Sequence, residues 1–244
     1  MSPAAIFEGI RRLGFSRVME VAYGADHDTV LLAEKMRKRD GVFLGTSCCP
    51  SWVMTAEAYH PEYRDNIADS YTPMVETALK IKEQQEGAKV VFIGPCIAKK
   101  YEALTPEMAP YVDHVLTFEE LAGLFVAFGV DVQAIETSET IDDASSLGRG
   151  YALAGGVGEA IKETVGHCFD IKEVVFERAD TLADCRLMLD RIARTEIQPD
   201  LVEGMACPGG CIGGPGTLGP LRMVKTEVSG FAKESSRKFP DCQV

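Results

Sequence analysis

Val42-Phe43-Leu44-Gly45-Thr46-Ser47-Cys48-Cys49-Pro50-Ser51-Trp52 runs from an apolar pattern straight into two adjacent cysteines and a proline. Val42 to Leu44 reads as a short buried strand. The same grammar recurs twice. Lys89 to Ile93 reads as a strand that ends at Cys96, and Leu201 to Ala206 as a strand that leads to Cys207 and Cys211. Further strands are read at Val18 to Ala22, Arg149 to Ala154 and Val174 to Phe176. Between them lie helical patterns. Residues 3–13 place Ile6, Ile10 and Leu13 at helical spacing before Gly14, and residues 26–38, 73–85 and 182–193 continue the series. Thr117 with Glu120 makes a capping-box pattern, and Gly155-Gly156 opens a helix to about Gly166. Strands alternating with helices imply an α/β fold with a mostly parallel sheet covered on both faces. Loops at the carboxyl ends of parallel strands are where such folds build sites, and all three cysteine segments follow a strand. The stretch from Glu136 to Ser146 is the expected exposed connection.

The chain has 244 residues, 46% hydrophobic and 25% charged, and this length buries enough surface for a core without disulfide staples. It permits one domain or two lobes. A formal charge of −12 leaves nothing to neutralise phosphates, so nucleic acid is not an expected partner. No long apolar run and no signal-peptide core are present, which argues against a membrane and for a cytoplasmic protein. The eight cysteines are clustered, with 48 and 49 adjacent and 207 and 211 four apart. In a reducing compartment such clustering favours metal or catalysis over cross-linking.

Cys49 (or Cys48), Cys96, Cys207 and Cys211 offer four thiolates from three loops. Four thiolates suit a [4Fe–4S] cubane or a tetrahedral zinc, and the lack of a CxxC pair favours the cubane. One cysteine of the 48–49 pair is surplus, and a free thiol beside a cluster can pass protons. Lys99, three residues after Cys96, could face the same pocket as a fixed cation, although most lysines are solvated.

Thr46-Ser47-Cys48-Cys49-Pro50-Ser51-Trp52, Pro95-Cys96-Ile97-Ala98-Lys99-Lys100-Tyr101-Glu102 and Met205-Ala206-Cys207-Pro208-Gly209-Gly210-Cys211-Ile212-Gly213-Gly214 resemble, in order, the three signature loops of [FeFe]-hydrogenases. Leu13-Gly14-Phe15, Gly24-Ala25-Asp26 and Gly155-Gly156-Val157-Gly158-Glu159-Ala160 resemble supporting stretches of that family, so the likeness runs from about residue 6 to about 220. The resemblance implies two lobes of mostly parallel sheet flanked by helices, with the metal cluster in the cleft between them. A single domain over 1–244 is expected, with a lobe boundary near 105–110 and no ferredoxin-like accessory module. Cys49, Cys96, Cys207 and Cys211 would ligate the cubane, and Cys211 would bridge to a [2Fe] subsite carrying CO, CN and an azadithiolate. Cys48 would shuttle protons, Lys99 would hold a cyanide, and Glu102 would support Lys99. Ser47, Pro95, Met205, Tyr151 and Gly155 would line the cofactor. The implied partners are H2 and protons, a ferredoxin or other redox protein as electron partner, and maturation proteins.

The sequence departs from the family in places. Gly94 stands where a methionine is usual, which predicts looser packing there. The third loop continues Gly213-Gly214-Pro215-Gly216. Leu32 and Lys35 replace the acids of the usual proton path, and Ala68 replaces its serine. Glu34, Asp28 and Asp69 are the acids nearby, each read first as solvated. Tyr151 replaces a phenylalanine. Cys168, Cys185 and Cys242 have no motif and read as buried or incidental thiols, and His167-Cys168 lacks partners for a metal. The readings in competition are a hydrogenase, a hydrogen- or redox-sensing module of the same fold, a [4Fe–4S]-only binding protein and, last, structural zinc.

Overall fold

The computed structural model describes residues 2–39 and 41–242. Helices α1 (Pro3–Arg12) and α2 (Ala22–Arg37) precede strand β1 (Leu44–Gly45), and α3 (Pro50–Tyr59) and α4 (Pro73–Gln84) follow it. Strand β2 (Val91–Ile93), α5 (Ala98–Glu102), β3 (His114–Leu116) and α6 (Phe118–Ala127) come next. The remainder is α7 (Ser146–Gly150), α8 (Gly156–Phe169), β4 (Phe176–Ala179), α9 (Leu182–Ala193), β5 (Leu201–Gly204) and α10 (Leu221–Lys233). Proline opens α1, α3 and α4, where its missing N–H costs no hydrogen bond. Thr117 and Glu120 close the expected capping box on α6.

Two parallel sheets carry the fold. One has the order β1-β5-β4, and the other pairs β2 with β3. The first sheet therefore joins strands from both ends of the chain. Residues 105–110 lie in the connection between β2 and β3, which pair with one another.

Strand β5 shows how the core is laid out. Its side chains alternate between faces. Leu201 joins the core of α2 and α8 with Leu32, Val157 and Ile161, while Val202 joins that of α3 and α9 with Phe43, Trp52 and Leu189. Glu203 follows Leu201 onto the α8 face. Gly204 falls on the α3 face, where a Cβ would lie 2.1 Å from the Trp52 ring. Only glycine fits there. A third core, with Val75, Val90, Val112 and Val115, packs α4 against the two-stranded sheet.

Helix α2 is covered by α4, α7 and α8. Gly24 lets α2 approach α4 so closely that a Cβ would lie 2.3 Å from the Pro73 carbonyl. Asp26 caps the start of α7 by accepting from the backbone N–H of Ser145 at 2.7 Å and from its hydroxyl. Arg149 on α7 forks onto Glu20 at 2.8 Å through both Nε and Nη2, with both side chains buried. Its guanidinium also lies 3.9 Å over the Phe231 ring of α10.

Three expectations are corrected. Val18 to Val21 form no strand but lead into α2, because no neighbouring strand offers them a ladder. Arg149 to Ala154 complete α7 and a turn, held by the Arg149–Glu20 pair. Cys168 and Cys242 are not incidental thiols. They form a disulfide with Cα atoms 5.8 Å apart, tying the segment after α10 to the end of α8. Cys185 is free and fully buried, packed against Met188 and Leu189 as expected of a core thiol.

Candidate metal centre

Each cysteine loop begins where a parallel strand ends, and the loops hold each other pairwise. Lys99 Nζ of the second loop donates to the Cys48 carbonyl of the first at 3.2 Å. The Gly216 N–H of the third donates to the Pro95 carbonyl of the second at 2.9 Å. The Ala206 N–H of the third loop faces the Cys49 sulfur of the first. Gly210 permits this closure. Its φ is +92°, and a Cβ there would lie 2.5 Å from the Ala154 nitrogen.

Cys49 precedes Pro50 at the N-terminus of α3, so the Trp52 N–H also points at its sulfur. Both amides favour the thiolate. Burial still pushes the Cys49 thiol up, and Cys96 adds to the effect. Burial followed by repulsion from Cys49 and Cys96 pushes Cys211 up to about 12, against which Lys99 acts. Cys207 is raised by burial, then by Cys96 and Cys49. Cys48 is raised well above its ordinary value by burial, then by Cys211 and Cys49. The five sulfurs thus share one field. Four thiolates that repel one another at the meeting of three loops are stabilised by a cation-rich core, which is the chemistry of a cluster site. Among the described residues no three metal-binding side chains close on a single ion. The donor set fits an iron–sulfur group.

Lys99 and Glu102 are both buried, contrary to the usual fate of such residues. Lys99 Nζ donates to Glu102 Oε2 at 2.6 Å, and the Thr72 hydroxyl donates to Glu102 Oε1 at 2.6 Å. An ammonium has three donors, and two are engaged by Glu102 and Cys48. Ser47 shares a 3.1 Å hydrogen bond with the Ser70 hydroxyl. Tyr151 is buried and shares a 2.8 Å hydrogen bond with the Thr29 hydroxyl, and burial followed by the charge of Asp28 pushes its phenol well up. Met205 lies in the core beside Cys48. The looser packing expected at Gly94 is not found, since the Phe92 ring fills the space and would stand 2.6 Å from a Cβ there.

Two carboxylates outside the expected site residues are fully buried here. Glu203, fully buried, accepts from the Gly155 N–H at 2.6 Å and the Gly158 N–H at 2.7 Å. It thereby pins the start of α8 to β5 and takes up the amide of Gly155. Its position two residues before Met205-Ala206-Cys207 was the available signal. Asp28, read as a solvated acid, is 0% exposed. The other two acids considered with it lie at the surface, where Glu34 bridges Arg37 and Lys38, and Asp69 meets Lys35.

Residues 1–215 match the family described as iron only hydrogenase large subunit, C-terminal domain. Iron hydrogenase 1 of Clostridium pasteurianum is 27% identical, over 91% of this chain and 47% of that protein. The cytosolic Fe-S cluster assembly factor NAR1 of Debaryomyces hansenii is 31% identical over 47% of this chain and 24% of that protein. The chain spans about half the length of the curated hydrogenases it matches. A variant of the [FeFe]-hydrogenase HydA1 from Chlamydomonas reinhardtii has the same fold, with a TM-score of 0.71 at 20% identity over 97% of this chain and 80% of that one. No helix among the described residues is long and apolar enough to cross a membrane. Three thiol loops closed on one another, in the order and over the length that the match covers, place this chain in the iron-only hydrogenase family, as a C-terminal domain of its large-subunit type.

Proposed function

We propose that the chain holds a [4Fe–4S] cubane on Cys49, Cys96, Cys207 and Cys211, with a two-iron subsite bridged through Cys211, and interconverts protons and electrons with H2. The observation that carries this reading is the buried Lys99, fixed by Glu102 and the Cys48 carbonyl with a donor to spare. A plain electron-transfer cubane needs neither a buried cation nor a free fifth thiol. A cyanide on the two-iron subsite would give that donor a partner.

The bound group would supply the redox chemistry of hydrogen. The protein's residues do the rest. Lys99 fixes an anionic ligand, and the Thr72–Glu102 pair holds its ammonium in place. Cys48, half-buried beside Cys211, holds or delivers a proton at its sulfur. Met205 and Tyr151 keep water out of the pocket, the Pro95 carbonyl ties the second loop to the third through Gly216, and Ser47 braces the first loop against Ser70. Ferredoxin-type proteins fit as electron partners, and the two-iron part would come from maturation proteins. Nucleic acid does not fit a surface of this charge.

Similarity to the assembly factor supports a second reading, a protein that carries the cubane alone. A sensing module with slow turnover is the third, favoured by Leu32 and Lys35 in place of acids. Infrared spectra after maturation separate these readings. Bands of iron-bound CO and CN are expected, and their absence leaves the cubane-only protein. With reduced viologen as donor, the matured chain should evolve H2, and Cys48→Ala should slow it roughly a hundredfold or more with the bands retained.

A further inference from the structure

The proton exit that the family motif leads one to expect on α2 is closed. Leu32 is fully buried in the core, and Lys35 lies at the surface with Asp69. One turn before Leu32, on the same helix, stands Asp28. It is 0% exposed, and neither carboxylate oxygen meets a partner in hydrogen-bonding geometry. A carboxyl in that condition weakens the fold, and an apolar residue would pack there without the cost. Its surroundings are few. Glu76 faces it from α4, Lys99 from α5 and His27 from α2 itself, while the Ser70 hydroxyl favours its charged form. Its charge in turn acts on the Cys48 thiol and the Tyr151 phenol. Among these groups His27 opens outward, with a side chain 38% exposed and Nδ1 2.9 Å from Glu76 Oε2.

We propose that Asp28 is the relay acid of this protein, exchanging the proton of Cys48 with solvent through the Glu76–His27 pair along the seam between α2 and α4. The inference rests on the function proposed above. In the outward direction the Cys48 S–H bond breaks and an Asp28 O–H bond forms, with the proton handed across one intervening water because the two groups make no direct hydrogen bond. The proton then passes by way of Glu76 and His27 to water, and no electrons move. Asp28 acts through Cys48 and touches no reacting atom. Burial holds its carboxyl at about 7, opposed by Ser70 and raised further by Glu76, so both of its protonation states are populated near neutral pH. The Glu76 carboxylate, 2.9 Å away, raises His27 above the ordinary imidazole value, which favours the outer group as a proton acceptor.

The test uses the matured holoprotein and infrared difference spectra between about pH 5 and about pH 9. A carbonyl band of a protonated carboxyl should titrate near pH 7, shift in D2O, and vanish in Asp28→Asn. Glu76→Gln should move its midpoint to lower pH by removing a like charge. Asp28→Asn should slow H2 evolution about tenfold or more with the CO and CN bands unchanged, and Asp28→Glu should restore most of it. Should Asp28→Asn fail to fold, Glu76→Gln and His27→Gln carry the test, each expected to slow turnover several-fold. A wild type without the titrating band, a band that survives Asp28→Asn, or wild-type turnover in that variant would overturn the relay while the hydrogenase reading stands. A matured wild type without CO and CN bands would overturn both.

Discussion

Glu203 and Asp28 are both fully buried acids whose charges act on the Cys48 thiol, and both carboxyls are raised by burial. Yet Glu203 sits at the end of β5 with an amide on each oxygen, whereas Asp28 sits on α2 with none in hydrogen-bonding geometry. The first is part of the scaffold, because removing it would strand two buried donors. The second does nothing for the fold that a small apolar residue would not do better. Placed side by side, the two show how to tell a structural buried charge from a functional one: the difference lies in the partners and not in the burial.

The contrast breaks most visibly in the pH dependence of stability. An Asp28 carboxyl at about 7 holds its proton in the folded chain where the unfolded chain, near 3.8, has lost it. Its contribution therefore falls as pH rises from about 4 to about 7, by about 1.4 kcal/mol per unit and about 4 kcal/mol in all. Urea titrations should show Asp28→Asn gaining on the wild type by that amount between these limits, and a constant difference would contradict the assignment. Glu203→Ala should lose about 3 kcal/mol at neutral pH, from two amides left unpaired at the start of α8, measured by the same titration. A loss below about 1 kcal/mol would place Glu203 with Asp28. The surface pair of Lys35 and Asp69 sets the lower end of the scale, since Asp69 is largely solvated. Lys35→Ala should change stability by less than about 0.5 kcal/mol, and a larger loss would give the closed exit a structural role.

The helices were the legible part of this molecule. Apolar spacing and caps gave the capped α6 and the 182–193 helix because those signals lie within one turn of each other. That three cysteine loops each follow a strand was legible for the same reason, since glycine or proline beside the cysteines ends each run. What stayed hidden depends on distant chain. Asp28 follows His27 and precedes Thr29, a polar trio that reads as a solvated face, and only the packing of α4, α7 and α8 around α2 removes the water. Tyr151 reads as part of a strand because nothing local announces that Arg149 will fork onto Glu20. The Cys168–Cys242 bridge spans 74 residues, and neither half carries a motif. Lys99 reads as a plausible cation, but its burial follows from Glu102 and Thr72, the latter 27 positions upstream.

The pairing of Leu44 with Leu201 has a consequence for how the protein is made. A ribosome delivers β1 and the first two thiols long before it delivers β5, so the early segment must wait with an open ladder edge and uncovered sulfur. A cluster on the four cysteines proposed above would have to wait until residue 211 has left the exit tunnel, and until then the emerging β1 segment is a stretch that needs shielding from oxidants and from its neighbours.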